Sequence, residues 1–242
     1  MRVAFPCHVT LRILVLQHSP GGLLGVLESP LLAAGCEIHT WRTFESPAPP
    51  LHAGEIAGLI GLGGIMHPDE DVAHPWLPEV RAMYRQAVAT NVPTLGICLG
   101  VQLMSQALGG SAGPLGRARV GFLPVDFRAA EDPLLGGLPD TLRPLSWHEY
   151  IAIPPDGATV LAAADGTPQA IRFGPLAWGV QFHAELAGHV DQWFEHGGDP
   201  LRARGIDVQE IVDELPAMVD AWQPHGELIA SRFARMAAGQ PV

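Results

Sequence analysis

The chain has 242 residues, 48% of them hydrophobic and 16% charged, with a formal net charge of −11. That balance describes a packed globular protein rather than a disordered one. The acidic excess, with no cluster of Lys and Arg, argues against a nucleic-acid-binding surface. No apolar stretch reaches the roughly 18 residues of a membrane span, and Pro6, Cys7 and His8 interrupt the first ten residues before a signal-peptide core can form. Three widely spaced cysteines, Cys7, Cys36 and Cys98, do not make a disulfide framework and fit a reducing cytoplasmic location.

In chain order, Leu11–Leu16 reads as a buried strand, followed by a turn at Pro20-Gly21-Gly22. Helical periodicity runs from Leu23 to Ala34 and stops at Gly35. Cys36–Trp41 is a second strand. Ser46-Pro47-Ala48-Pro49-Pro50 is a stiff loop, because a third strand, Ala57–Leu62, follows too soon for an interdomain linker. A helix over Trp76–Thr90, a strand over Val92–Ile97 and a helix over Leu99–Leu108 continue the alternation. Alternating elements with near-continuous apolar strands predict an α/β three-layer sandwich, flavodoxin-like, around a mostly parallel sheet. Beyond about Val120 the rhythm changes to short strands at Gly121–Phe127, Thr159–Ala164, Gln169–Phe173 and Ala177–Phe182, read as a small antiparallel extension. Gly188–Ala238 is expected to be helical, with breaks around Gly197-Gly198 and Pro224. Residues 1–242 are expected to form one domain, with a core over about 11–195 and a helical extension over 196–242.

Two motifs carry chemistry. In Gly96-Ile97-Cys98-Leu99-Gly100 a strand turns sharply into a helix with glycine on both sides of the cysteine, the pattern of a nucleophile elbow. A sulfur there faces the free N–H groups and positive end of a helix, which favour an anion. On this motif alone a packed structural thiol and a nucleophile are equally good readings. A cysteine nucleophile needs a base and an orienting group. Gly179-Val180-Gln181-Phe182-His183-Ala184-Glu185 offers both at the exit of a strand, with His183 and Glu185 on one side. Backbone N–H groups at Gly63-Gly64 and at Leu99 are candidates for an oxyanion site. His183, Glu185 and His189 lack the spacing of a zinc site, so no metal and no cofactor is expected.

Together Gly63-Gly64, the run Gly96–Gln102 and the run Gly179–Glu185 resemble the class I, triad-type glutamine amidotransferases, in the family's order over roughly residues 11–195. Pro75-Trp76-Leu77, Ala107-Leu108-Gly109-Gly110 and Ser146-Trp147-His148 are similar to the branch containing the glutaminase domain of GMP synthase and its free-standing relatives. The resemblance implies Cys98 as nucleophile, His183 as general base and acid, and Glu185 as its orienter. It also implies Gly64 and Leu99 N–H groups as the oxyanion hole, and Gly63, Gln102, Ser146, Trp147 and His148 as substrate-binding. The substrate would be glutamine, with ammonia passed to a separate synthetase. Ala184 stands where the family usually has proline, Arg119-Val120 where it has an acid, and His148-Glu149-Tyr150 where it has His-Gly-Asp. The first affects the turn more than the chemistry and the last falls on the clamp for the substrate's amino-acid end, so a hydrolase of another γ-glutamyl or amide compound is the alternative. A catalytically silent binding module is a third reading. Only about 50 residues follow the histidine motif, without a phosphate-binding loop, which excludes a complete GMP synthase within this sequence.

Overall fold

A computed structural model describes residues 10–46 and 49–242. The proposed absence of a signal peptide, Cys7 and residues 47–48 of the proline-rich loop lie outside that range. Among the described residues one nine-stranded sheet runs in the order β2-β1-β3-β4-β11-β10-β9-β6-β7. Its parallel half comprises β1 (Leu11–Gln17), β2 (Cys36–Arg42), β3 (Gly58–Gly61), β4 (Thr94–Ile97) and β11 (Ala177–Val180). Its antiparallel half comprises β6 (Val125–Phe127), β7 (Thr141–Leu142), β9 (Thr159–Ala164) and β10 (Thr167–Gly174). The chain thus has the three-layer α/β fold anticipated from its alternation.

The layers follow from the two-residue period of the strands. Ile13 and Val15 of β1 pack with Ile60, Leu95, Trp178 and Phe233 on one face, while Leu14 and Leu16 pack with Leu59, Tyr84 and Leu103 on the other. The first face is covered by α1 (Glu28–Ala33) and the long α5 (Val208–Ala237), the second by α2 (Leu77–Ala89) and α3 (Leu99–Ala107). β3, β4 and β11 are buried along their whole length, as central parallel strands require.

Three glycines set the depth at which α2 and α3 pack. Gly61, Gly96 and Gly179 lie side by side across β3, β4 and β11. A Cβ at Gly61 would strike the Tyr84 hydroxyl, one at Gly96 would lie 2.7 Å from the Gly100 carbonyl carbon, and one at Gly179 would strike Val101. This flat strip lets the first turn of α3 sit directly on the strand ends.

Trp178, fully buried in β11, donates its indole N–H to Asp132 at 3.1 Å, and the same carboxylate accepts from the Leu134 and Leu135 N–H groups at 2.9 Å. Asp132→Ala would leave three buried donors without a partner. It is expected to cost about 3 kcal/mol in chemical denaturation.

The structure departs from the sequence reading in five places. Leu23–Ala34 is a 3-10 turn (Gly25–Leu27) followed by the short α1, because Gly25 adopts φ +53 where the chain presses on the Glu185 carbonyl. Residues 111–120 and 145–153 carry no strand pattern in the sequence, yet they form strands. They make a separate two-stranded sheet of β5 (Ser111–Phe122) and β8 (Leu145–Ile153), whose interrupted pairing between Pro114 and Arg119 hides any alternation. β11 pairs parallel with β4 and belongs to the parallel core rather than to the extension, and it stops at Val180. Gly197-Gly198 lies inside α4 (Asp191–Ala203), and the helix break comes instead at residues 204–207, where Gly205 has φ +78. Pro224, like Pro216, sits inside α5 without ending it.

Candidate active site

The C-terminal ends of β3, β4 and β11 converge on one point, the usual place for a reactive site in a parallel α/β sheet. β4 ends at Ile97, and Cys98 then adopts φ 53 and ψ −109, a left-handed conformation that costs a non-glycine residue energy. It is fixed there because its N–H donates to the Val180 carbonyl at 2.9 Å, while its own carbonyl accepts from Val101 at 3.2 Å and Gln102 at 3.3 Å at the start of α3. The Cys98 Sγ lies 3.8 Å from the Trp147 carbonyl oxygen.

β11 delivers His183, whose N–H donates to the Leu145 carbonyl at 2.9 Å. Its Nδ1 is 2.8 Å from Glu185 Oε1, and both side chains are almost wholly buried. The Cys98 sulfur lies beside the same ring, close enough to favour its protonated form. With Nδ1 committed to Glu185, Nε2 is the nitrogen left for the sulfur. Burial by itself would push the imidazole toward its neutral form. The Glu185 carboxylate, the Cys98 sulfur and the hydrogen bond to Glu185 outweigh it and raise the ring to about 10. The loop that holds this pair is anchored from outside the sheet: Trp222 of α5 donates to the Ala184 carbonyl at 2.9 Å.

Gly63 backs the pair closely. A Cβ there would come 3.2 Å from His183 Cε1 and 3.4 Å from Cys98 Cβ. Gly64 is wedged beside Leu99, Met66 and His18, where a Cβ would approach to 2.6, 2.8 and 3.0 Å of Met66 Sδ, Leu99 Cδ2 and His18 Cβ. Neither the Gly64 nor the Leu99 N–H donates to another described residue.

The remaining candidates differ in what they have free. Gln102 spends its amide N–H groups on the Tyr150 carbonyl at 3.0 Å and Gln181 Oε1 at 3.4 Å, tying α3 to β8 and the end of β11. Ser146 and His148 occupy alternate positions of β8, both buried, and Ser146 Oγ and His148 Nε2 have no partner among the described residues. His148 donates from Nδ1 to the Tyr150 carbonyl at 3.0 Å. Trp147, on the opposite face of the strand, packs against Phe194 at 4.6 Å. One neighbour escaped the sequence reading. Trp193 of α4 packs edge-on against the His183 ring at 4.9 Å, a contact between distant elements that no local pattern announces.

Burial pushes His18 down to about 3 and His148 down to about 4, in the latter case against its Tyr150 hydrogen bond. Both are therefore neutral when folded and gain a proton on unfolding below pH 6.5. The stability that these two neutral rings contribute is full above pH 6.5 and falls as the pH drops toward 4. The expected loss is a few kcal/mol in all, and His18→Gln should flatten the fall in denaturant midpoint over that range.

The chain belongs to the class I glutamine amidotransferases: the family's model matches residues 23–192. Among its relatives, the glutamine-hydrolysing GMP synthase of Lactobacillus delbrueckii subsp. bulgaricus is 36% identical over 123 residues, covering 49% of this chain and 22% of that protein. A glutamine-hydrolysing GMP synthase subunit from Pyrococcus abyssi is 40% identical over 116 residues, 46% of this chain and 58% of that protein. The glutamine amidotransferase-like protein YfeJ of Salmonella typhimurium is 31% identical over 158 residues, 63% of this chain and 66% of that protein. The chain thus spans only part of these relatives' length. In fold it is similar to a glutamine amidotransferase from Thermotoga maritima, with a TM-score of 0.83 and 24% identity over 94% of this chain and 98% of that one. Another, from Methylobacillus flagellatus, has a TM-score of 0.86 and 24% identity over 94% and 95%. Among the described residues no helix is long and apolar enough to cross a membrane.

Proposed function

We propose that this chain hydrolyses the side-chain amide of glutamine through a thioester on Cys98, releasing glutamate and ammonia. The observation that carries the reading is the buried line Cys98–His183–Glu185, with the cysteine in a left-handed turn at the start of α3. His183 already holds the proton of the Cys98 thiol, as an imidazolium beside a thiolate; the sulfur attacks the amide carbon, and the N–H groups of Gly64 and Leu99 hold the oxyanion. The carbon–nitrogen bond then breaks as His183 returns the proton to the leaving nitrogen, giving ammonia and a γ-glutamyl thioester. Water attacks that thioester with His183 as base, the carbon–sulfur bond breaks, and glutamate leaves as the thiol regains its proton. Ser146 Oγ and His148 Nε2, buried without partners on β8, are polar atoms available to the substrate's amino-acid end, with Gly63, Gln102 and Trp147 shaping that side of the site. A separate synthetase would consume the ammonia, by analogy with the GMP synthase relatives. The reaction would run in the cytoplasm, whose reducing conditions keep a thiol free.

A hydrolase of another γ-glutamyl amide is the second reading, favoured by Glu149-Tyr150, which follow His148 where the resemblance calls for Gly-Asp. The test is ammonia and glutamate release by the purified chain across glutamine and a panel of γ-glutamyl amides, together with mass mapping of a glutamine-analogue electrophile onto Cys98. No hydrolysis of any member, with no adduct, would overturn both readings.

A further inference from the structure

The inference here rests on the Cys98–His183 reading above. The His183 ring is confined on three sides. Glu185 Oε1 holds Nδ1 at 2.8 Å, the Gly63 backbone crowds Cε1, and the Trp193 indole packs against the ring at 4.9 Å and 65°. The first two contacts leave the ring free to tilt about the Nδ1–Oε1 direction, and the third opposes that tilt.

Trp193 is itself held. Its indole N–H donates to the Gly21 carbonyl at 2.8 Å, on the loop after β1. The next residue, Phe194, is buried against Trp147, whose carbonyl oxygen faces the Cys98 sulfur. α4 fits closely over this strand, since a Cβ at Gly197 would lie 3.0 Å from the Trp147 ring. One helix thus touches the neighbours of both members of the pair. Trp193 also lies one residue beyond the segment that matches the family model, so this contact comes from outside the part of the chain that supplies Cys98, His183 and Glu185.

We propose that Trp193 is a positioning residue: tethered to Gly21, its indole holds the His183 imidazole in the orientation that serves Cys98. The other titratable groups facing this pair are Glu185 and Cys98 themselves, His148 from β8, and His189 from the turn into α4. Burial lowers His148 and His189, which keeps both neutral near pH 7.

The experiment is alkylation of Cys98 by iodoacetamide in the full chain, followed by peptide mapping from pH 5 to 10, because access and pairing separate there. Better access raises the rate equally at every pH, whereas a weakened pair moves the midpoint upward. Trp193→Leu is expected to move the midpoint up by roughly half a unit to one unit, because a ring free to tilt pairs less well with the sulfur. Trp193→Phe, which keeps a flat ring against His183 but loses the Gly21 tether, should move it less than half as far. Trp193→Met, bulky but flexible, should behave as Trp193→Leu and stands in for it should that variant not fold. An unchanged midpoint in the Leu and Met variants, or a Phe variant displaced as far as they are, overturns the proposal. A wild-type Cys98 that alkylates like an ordinary thiol overturns the nucleophile reading, and this inference with it.

Discussion

Cys98→Ala is expected to abolish ammonia release from glutamine, lowering kcat by about 10⁴- to 10⁶-fold, as loss of a nucleophile does in other triads. The fold should survive. Alanine keeps the Cβ, the Cys98 backbone bonds to Val180, Val101 and Gln102 remain, the sulfur's hydrogen bond to the Trp147 carbonyl is a long one, and His183 keeps its bond to Glu185. A circular dichroism spectrum and thermal midpoint close to wild type would therefore accompany the loss of activity. The same variant should form no adduct with a glutamine-analogue electrophile, although Cys36 is still present. Cys36 is buried in β2, and burial pushes its thiol up, away from reactivity. Ammonia release at the wild-type rate by folded Cys98→Ala would remove Cys98 from the mechanism.

The candidate site was legible in the sequence because its parts are local. Gly96 and Gly100 announce a strand that turns into a helix, and His183 and Glu185 are two residues apart at a strand end, so each half of the site is a short motif. The parallel core was legible for the same reason, since β1, β3 and β4 are unbroken apolar runs. What escaped depends on contacts between distant segments. β5 contains Gly113, Pro114, Gly116 and Gly121, which read as turns until β8 pairs with them. Gly197-Gly198 reads as a break, yet α4 continues through it because Trp147 fills the space that a side chain at Gly197 would need. Gln102, a pocket residue by resemblance, has its donors taken by Tyr150 and Gln181, and no pattern in α3 could have revealed those partners. The same holds for the contact of Trp193 with His183 and for its tether to Gly21.

His183→Ala is expected to match the Cys98 variant in severity, at about 10⁴-fold or more in kcat, but to differ from it in stability. It leaves the Glu185 carboxylate buried without the imidazole, and Glu185 Oε2 already has no partner. Breaking a buried pair from one side costs about 3 kcal/mol or more, so the thermal midpoint should fall where that of Cys98→Ala does not. Glu185→Gln separates orientation from charge. The glutamine oxygen can still accept from Nδ1, but the carboxylate that offsets the burial of His183 is gone. Burial, the largest influence on the ring, then acts against less opposition, so the imidazole loses its proton at a lower pH. In the wild type the alkaline limb of the kcat profile should lie near pH 10, where the ring can no longer protonate the leaving nitrogen. In Glu185→Gln that limb should move down toward or below 6.5, the ring's ordinary value, with kcat lowered about 10²- to 10⁴-fold. An alkaline limb that stays in place would mean that Glu185 does not set the protonation of His183, and the charge-based account of this site would fall.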